Sequence, residues 1–409
     1  MAGQQTRKRR RPMSRQEAMR RQAQRQRKLE KQQESRELAK GPIDLPFCLL
    51  VLLLTSIGLI MLLSASFPSA YYETKNHDPL YYFARQGVFC IAGLATMFGV
   101  SLFNYQRFRG VARFSLYLSI ILLILVIIPG VGITRNNATR WLGIGELLTF
   151  QPSEVAKLSV ILYFSYTISK KKGKMQTFRD GIAPYVGILG IFAVLMMMEP
   201  HLSGTILIVG TGAVLMMVGG IQWRWVMAVG AFATTVGVLL VTGVIKYGQS
   251  RIAMWKNPFL DPRGDGYQLS QSLISIGSGG LLGVGLGKSR QKFLYLPEEH
   301  NDFIFAIVCE ELGLVGACVI MMLFAALILR GYWIALHARD RFGSLLVVGI
   351  TTMIGAQTFF NIGVVTGFIP TTGISLPFFS YGGTALLIQL AEMGIVLSVS
   401  RQMKPPKTG

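Results

Sequence analysis

Leu294-Tyr-Leu-Pro-Glu-Glu-His-Asn-Asp-Phe-Ile-Phe-Ala-Ile-Val-Cys-Glu-Glu311 sets five carboxylates and a histidine directly ahead of, and inside, an apolar run. The second half of the chain is otherwise mostly apolar. A polar, acid-rich stretch entering an apolar one marks where water and membrane meet. Read alone, Asp302 is a helix cap, a short acid accepting N–H groups that have no intrahelical partner. Glu310 and Glu311 lie two to three turns further on, where only a polar interior accepts ionisable groups.

Outward from this stretch, the composition is that of a membrane protein. Of 409 residues, 51% are hydrophobic and 15% charged, against roughly 25% charged in soluble domains. A span needs about 17–25 apolar residues. Such runs occur at 45–66, 82–103, 111–129, 153–169, 182–199, 202–220, 225–245, 303–329, 343–367 and 382–400. The expectation is an all-α polytopic membrane protein with ten transmembrane helices.

An even number puts both termini on one side, and charge chooses the side. Arg107, Arg109, Lys170, Lys171, Lys172, Lys174, Arg179, Arg224, Arg330, Arg339, Arg341, Arg401, Lys404 and Lys407 fall together when the N- and C-termini are cytoplasmic. The short outer loops then hold only Lys75, Arg135 and Arg140, as the positive-inside rule requires. Residues 246–301 become a large extracytoplasmic loop between helices 7 and 8. Its Lys and Arg weigh little, because long loops are translocated regardless of charge.

Residues 1–42 read as a basic, disordered cytoplasmic tail, 43–403 as the membrane domain and 404–409 as a short cytoplasmic tail. Residues 1–40 hold 14 Lys/Arg and 4 Asp/Glu, a net of +10. The partner expected for them is the anionic leaflet, at about 1 kcal/mol per basic residue near the surface, and no nucleic acid. The tail lacks the apolar core of a cleavable signal. Cys48, Cys90, Cys309 and Cys318 sit in apolar runs without metal-like spacing and read as packing residues.

Several motifs carry chemistry. Gln151-Pro-Ser-Glu-Val-Ala-Lys157 opens the fourth span and puts Glu154 and Lys157 on one helix face, as a structural ion pair or a charged cavity wall. Arg135 and Arg140 either anchor the interface or bind phosphate. Glu199-Pro-His201 forms a tight outer turn. Residues 268–276 are amphipathic enough to lie on the outer membrane face. The run Gly277 to Gly287 ends in Lys288-Ser289 but has Leu282 where a nucleotide loop needs glycine; flexible backbone near a lipid or sugar is expected instead. Asn137-Ala-Thr139 is a chance sequon.

Taken together these segments resemble the SEDS family (shape, elongation, division, sporulation), in its division and sporulation branch. The resemblance rests on Leu63-Ser-Ala-Ser66, Pro129-Gly-Val-Gly132, Arg140-Trp-Leu-Gly-Ile144, Gln151–Lys157, Ser289-Arg-Gln-Lys-Phe293, Tyr295-Leu-Pro-Glu298, Asp302-Phe-Ile-Phe-Ala306, Glu310-Glu-Leu-Gly313, Asn361-Ile-Gly-Val-Val-Thr-Gly367 and Leu376-Pro-Phe-Phe-Ser-Tyr-Gly-Gly383. It implies a peptidoglycan glycosyltransferase that polymerises lipid II into β-1,4-linked glycan and releases undecaprenyl pyrophosphate. It also implies a class B penicillin-binding protein as partner, beside other division proteins, in the bacterial cytoplasmic membrane at the septum. The family's catalytic aspartate falls on Asp302; its outer arginine and helix-four pair fall on Arg140, Glu154 and Lys157. Two departures are Asn301 where the family usually has Thr, and Glu199-Pro-His201 where many members have Gln-Pro-Asp.

The chemistry matches one base. Deprotonating a sugar hydroxyl takes a single positioned carboxylate, worth about 10²–10⁴ in rate. The pyrophosphate leaving group needs cations, for which Arg140, Lys157, Lys288, Arg290 and Lys292 are the candidates. Ser380 completes the expected substrate-binding set. A divalent ion, Mg²⁺ or Mn²⁺, suits hard carboxylate oxygens such as those of Glu298, Glu299 and Asp302, with His300 beside them. The rival readings are a lipid II flippase and a non-catalytic division scaffold.

Overall fold

In a computed structural model the described residues are 41–403, apart from 136–137, 145–147, 172, 226, 228–248 and 265, and positions 19, 22 and 26 of the tail. The fold is mostly helical. Helices α1 (Leu45–Glu73), α2 (Tyr81–Leu102), α3 (Phe108–Ile127), α4 (Pro152–Lys170), α5 (Ala183–Met198) and α6 (Leu202–Val218) form the first half. The second half holds α7 (Gln249–Lys256), α8 (Tyr267–Gly279), α9 (Ile304–His337), α10 (Arg341–Val365) and α11 (Gly383–Ser400). Seven of the described helices are long and apolar enough to cross a membrane, and the chain is a multi-pass membrane protein.

Helix α4 is the least apolar of the bundle helices for a packing reason. It is enclosed by protein rather than lipid: Ser153, Glu154, Lys157, Ser159 and Ser165 are all buried. Residues 44 and 400 share one end of the bundle, where Asp44 N donates to Ser400 Oγ at 3.2 Å. There Arg330 grips Asp44 through Nε at 3.0 Å and Nη2 at 2.7 Å. The expected seventh span, 225–245, lies almost wholly outside the described residues. Its flanks sit at opposite ends: Gly219 O accepts from Arg341 at the terminal end, and Trp255 Nε1 donates to Gly367 O beyond the far end of α10.

The expectation of an all-α chain is corrected by a small antiparallel sheet, β1 (Ile133–Arg135), β2 (Ala138–Ile144) and β3 (Leu148–Phe150), in the order β1-β2-β3. Thr139, Trp141 and Ile144 suit a pleated surface, but seven residues make a faint signal beside helical runs three times as long. The sheet has a positional consequence. β2 carries Arg140, and β3 leads through Gln151 into Pro152 of α4, so Arg140 is set close to the end of α4 that holds Glu154 and Lys157.

The glycine run is corrected too. It is clamped to α9 instead of being free. Val284 N donates to Glu310 O at 2.9 Å, Gly285 N to Glu311 O at 3.1 Å, Leu314 N to Gly280 O at 2.9 Å and Val315 N to Leu281 O at 3.1 Å. Helix α9 breaks at Gly313, with φ 68° and ψ −171°, to admit these bonds. A Cβ there would lie 2.3 Å from Gly283 N, so glycine is required both for the dihedral and for the close approach.

Candidate active site

The loop before α9 is held rigidly from the α10–α11 connection. Asn361 Nδ2 donates to Asp302 O and to Ile374 O, each at 2.7 Å. Ser380 Oγ donates to Asn301 O at 2.7 Å and accepts from Leu376 N at 2.8 Å. Tyr381 N donates to His300 O at 2.8 Å. Three consecutive carbonyls of the loop are thereby fixed. Ser380, expected at the substrate, has its hydroxyl engaged on both sides in holding this loop.

The Asp302 side chain does not cap the helix. The N-cap residue of α9 is Phe303, with no side-chain cap bond. No described residue donates to the Asp302 carboxylate. It is partly buried and lies over Gly373, where a Cβ would stand 3.1 Å from Oδ2 and the backbone has φ +63°. Burial raises its pKa, and the nearby charge of Glu298 raises it further; Arg140 and His300 pull it back, leaving it at about 6. A carboxylate so placed is ionised at neutral pH and is a stronger base than an ordinary aspartate.

Arg140 reaches the site from β2. Its Nε donates to Glu199 O at 3.3 Å and its Nη2 to Pro200 O. Of the turn it grips, Glu199 and His201 are buried and Pro200 is exposed. Burial pushes the Glu199 carboxyl up to about 8 against the pull of Arg140. Burial, with Arg140 and Lys157, holds the His201 imidazole down at about 3. Glu199 Oε1 and Oε2 and His201 Nδ1 have no hydrogen-bond partner among the described residues.

Behind Arg140, Lys157 Nζ and Glu154 Oε2 form an ion pair at 2.7 Å, with both side chains buried. Glu392 of α11 is also buried, within electrostatic reach of both. The pair therefore lies inside the bundle rather than at its lipid surface. Glu392 was readable as a lone acid in an apolar span, the pattern that marks interior polar function. Asn361 carries the same signal.

The basic residues of 288–292 divide. Lys288 and Arg290 are exposed. Lys292 is buried and committed: its Nζ lies 3.0 Å from Glu311 Oε1 and donates to Ser64 Oγ at 3.0 Å and Gly287 O at 2.8 Å. Glu310 accepts from Ser275 Oγ, Ser289 Oγ and Arg290 N at 3.0, 2.6 and 2.9 Å. This is the polar interior that the two glutamates required.

The three acid and imidazole groups beside Asp302 have partners of their own. Glu298 accepts from Asn301 Nδ2 at 2.6 Å, and Glu299 is taken by Ser69 Oγ and by His300 Nδ1. His300 stacks on Tyr82 with centroids 4.7 Å apart. Among the described residues no three His, Cys, Asp or Glu side chains gather closely enough to hold a metal ion. The described side chains of Glu298, Glu299, His300 and Asp302 do not by themselves form a site for Mg²⁺ or Mn²⁺.

The FtsW, RodA and SpoVE family, described as cell cycle protein, matches residues 45–405. The chain belongs to this family. Stage V sporulation protein E of Bacillus subtilis (strain 168) is 43% identical over 358 residues, covering 88% of this chain and 97% of that protein. A probable peptidoglycan glycosyltransferase FtsW of Geobacter metallireducens is 39% identical over 361 residues, covering 88% and 95%. Two solved family structures superpose on the fold. One belongs to a peptidoglycan synthase complex that coordinates polymerization and crosslinking, with TM-score 0.73, 27% identity and coverage of 88% and 98%. The other is the rod shape determining protein RodA of Thermus thermophilus, with TM-score 0.65, 28% identity and coverage of 89% and 98%.

Proposed function

We propose that this family member is a peptidoglycan glycosyltransferase that polymerises lipid II, with Asp302 as its general base. The carrying observation is a carboxylate free of capping duty, without a hydrogen-bonded partner among the described residues and with its pKa near 6, on a loop whose carbonyls are fixed. Asp302 takes the proton of the acceptor 4-hydroxyl as that oxygen attacks the donor's anomeric carbon. The bond from that carbon to the phosphate oxygen breaks, and undecaprenyl pyrophosphate leaves with the electron pair. A single displacement of this kind inverts the anomeric centre. Arg140 supplies fixed positive charge beside the base, and Lys288 and Arg290 offer exposed cations for the pyrophosphate; Lys157 acts from behind, through its pair with Glu154. The family relatives named as glycosyltransferases support this reading over flippase or scaffold.

The topology that goes with this reading has ten crossings, with residues 44 and 400 at the cytoplasmic end and Asp302 at the outer face. It rests on the shared end of the termini, on the flanks of the seventh span, and on the excess of Lys and Arg at that end. The partner is a class B penicillin-binding protein, by analogy with the synthase complex. The enzyme works in the cytoplasmic membrane at the septum or forespore. The test is to supply purified protein with lipid II and resolve the products by size. Long glycan strands are expected from the wild type, and Arg140→Ala should slow them at least tenfold. Transfer of lipid II across vesicle membranes without any polymer would favour the flippase.

A further inference from the structure

At the end of the bundle opposite Asp302, basic side chains from α3 and α4 converge on one aromatic ring. The Arg113 guanidinium lies 5.9 Å from the centroid of Tyr166. Lys170 Nζ lies 4.1 Å from the same centroid and donates to the phenol oxygen at 2.5 Å. Beside them Lys171 Nζ sits 5.0 Å from the Tyr185 ring and donates to Asp180 O at 2.5 Å. Arg109 is within electrostatic reach of the Tyr166 phenol. Arg109 is neutralised by its pair with Asp340, but among the described residues no carboxylate pairs with Arg113, Lys170 or Lys171. Asp340 is occupied by Arg109, Tyr105 and Gln106, and Asp180 is exposed.

We propose that this corner binds an anionic phospholipid with a doubly charged headgroup, of the cardiolipin class. Cations placed only to orient a membrane protein need no fixed geometry. Here two of them, from different helices, share a tyrosine ring, so the order needed to hold a ligand exists before it binds. Arginine offers phosphate a planar fork and lysine a compact charge, a combination that suits two neighbouring phosphodiesters. Further along the same helix the surface is ready for acyl chains: Phe114, Tyr117 and Ile121 are 67%, 64% and 54% exposed. Basic pockets between spans are where such headgroups bind. The site is independent of the glycosyltransferase reading, since it needs only a lipid leaflet at this end.

The test uses the full-length protein in detergent, titrated separately with cardiolipin, phosphatidylcholine and inorganic pyrophosphate, with bound species counted by native mass spectrometry. One retained cardiolipin is expected, with phosphatidylcholine and pyrophosphate at least tenfold weaker. Arg113→Gln with Lys170→Gln should weaken cardiolipin at least fivefold, while Arg113→Lys keeps most of the binding. Lys256→Gln with Arg263→Gln, which removes the same charge from exposed positions of the 246–301 segment, should leave it unchanged. Equal retention by the corner variant and the wild type would overturn the proposal. So would an equal loss in the Lys256→Gln, Arg263→Gln variant, or pyrophosphate binding as tightly as the lipid.

Discussion

At the scale of the residue, the decisive feature is how little touches the Asp302 carboxylate and how firmly its backbone is held. The reading of Asp302 as a cap is natural from sequence, because an acid ahead of an apolar helix usually caps it. The fold gives the N-cap position to Phe303 instead, leaving the carboxylate to the solvent edge and Gly373. Its pKa, raised to about 6, fixes the sign of two pH effects. A base must be ionised to act, so kcat/KM should fall as pH drops through about 6 and level off above 7; a profile flat down to pH 5 would contradict the assignment. Folding also pushes this carboxyl upward, so burying its charge costs stability above that pKa and nothing once both folded and unfolded states are protonated. Asp302→Asn should therefore melt higher than the wild type at pH 7.5, by about 1 kcal/mol once partial exposure is discounted. That advantage should vanish towards pH 4. Gly373→Ala should slow the enzyme with little effect on lipid II affinity, because the added methyl meets Asp302 Oδ2 and the residue needs positive φ.

At the scale of the element, periodicity and length revealed the long lipid-facing helices, because a run of some twenty apolar residues has few other readings. They were weaker where polar atoms are satisfied tertiarily. The sheet that carries Arg140 is short, and the clamp between the glycine run and α9 joins segments thirty residues apart. Neither Glu310 nor Lys292 announces its partner, since hydrogen bonding to Ser275, Ser289 and Ser64 is set by folding. This clamp makes its own predictions. Lys292→Met leaves Glu311 buried without its cation and should destabilise by about 3–5 kcal/mol, with Glu311→Gln restoring part of the loss. Gly313→Ala should lower the melting temperature and loosen the 280–292 segment, seen as faster amide exchange at Val284 and Gly285. Unchanged exchange would show that the backbone bonds across the kink do not hold it.

At the scale of the molecule, the site draws on parts of the chain far apart in sequence: β2 for Arg140, the loop before α9 for Asp302, and the 373–381 connection that holds it. Motif order in the sequence was enough to suggest the family and the site residues. It could not show that Lys292 and Ser380 are taken up by internal bonds, nor that Glu392 is buried within electrostatic reach of the Glu154–Lys157 pair. If the termini are cytoplasmic and Lys288 is outer, a single cysteine placed at Lys288 should react with a membrane-impermeant thiol reagent in intact cells, while one at Met403 should not. The most direct measurement is lipid II polymerisation by the wild type and Asp302→Asn, each purified with its transpeptidase partner and matched for complex formation. The account predicts long glycan strands from the wild type and a loss of at least a hundredfold in the variant. Undiminished polymer from a well-folded Asp302→Asn complex would contradict it.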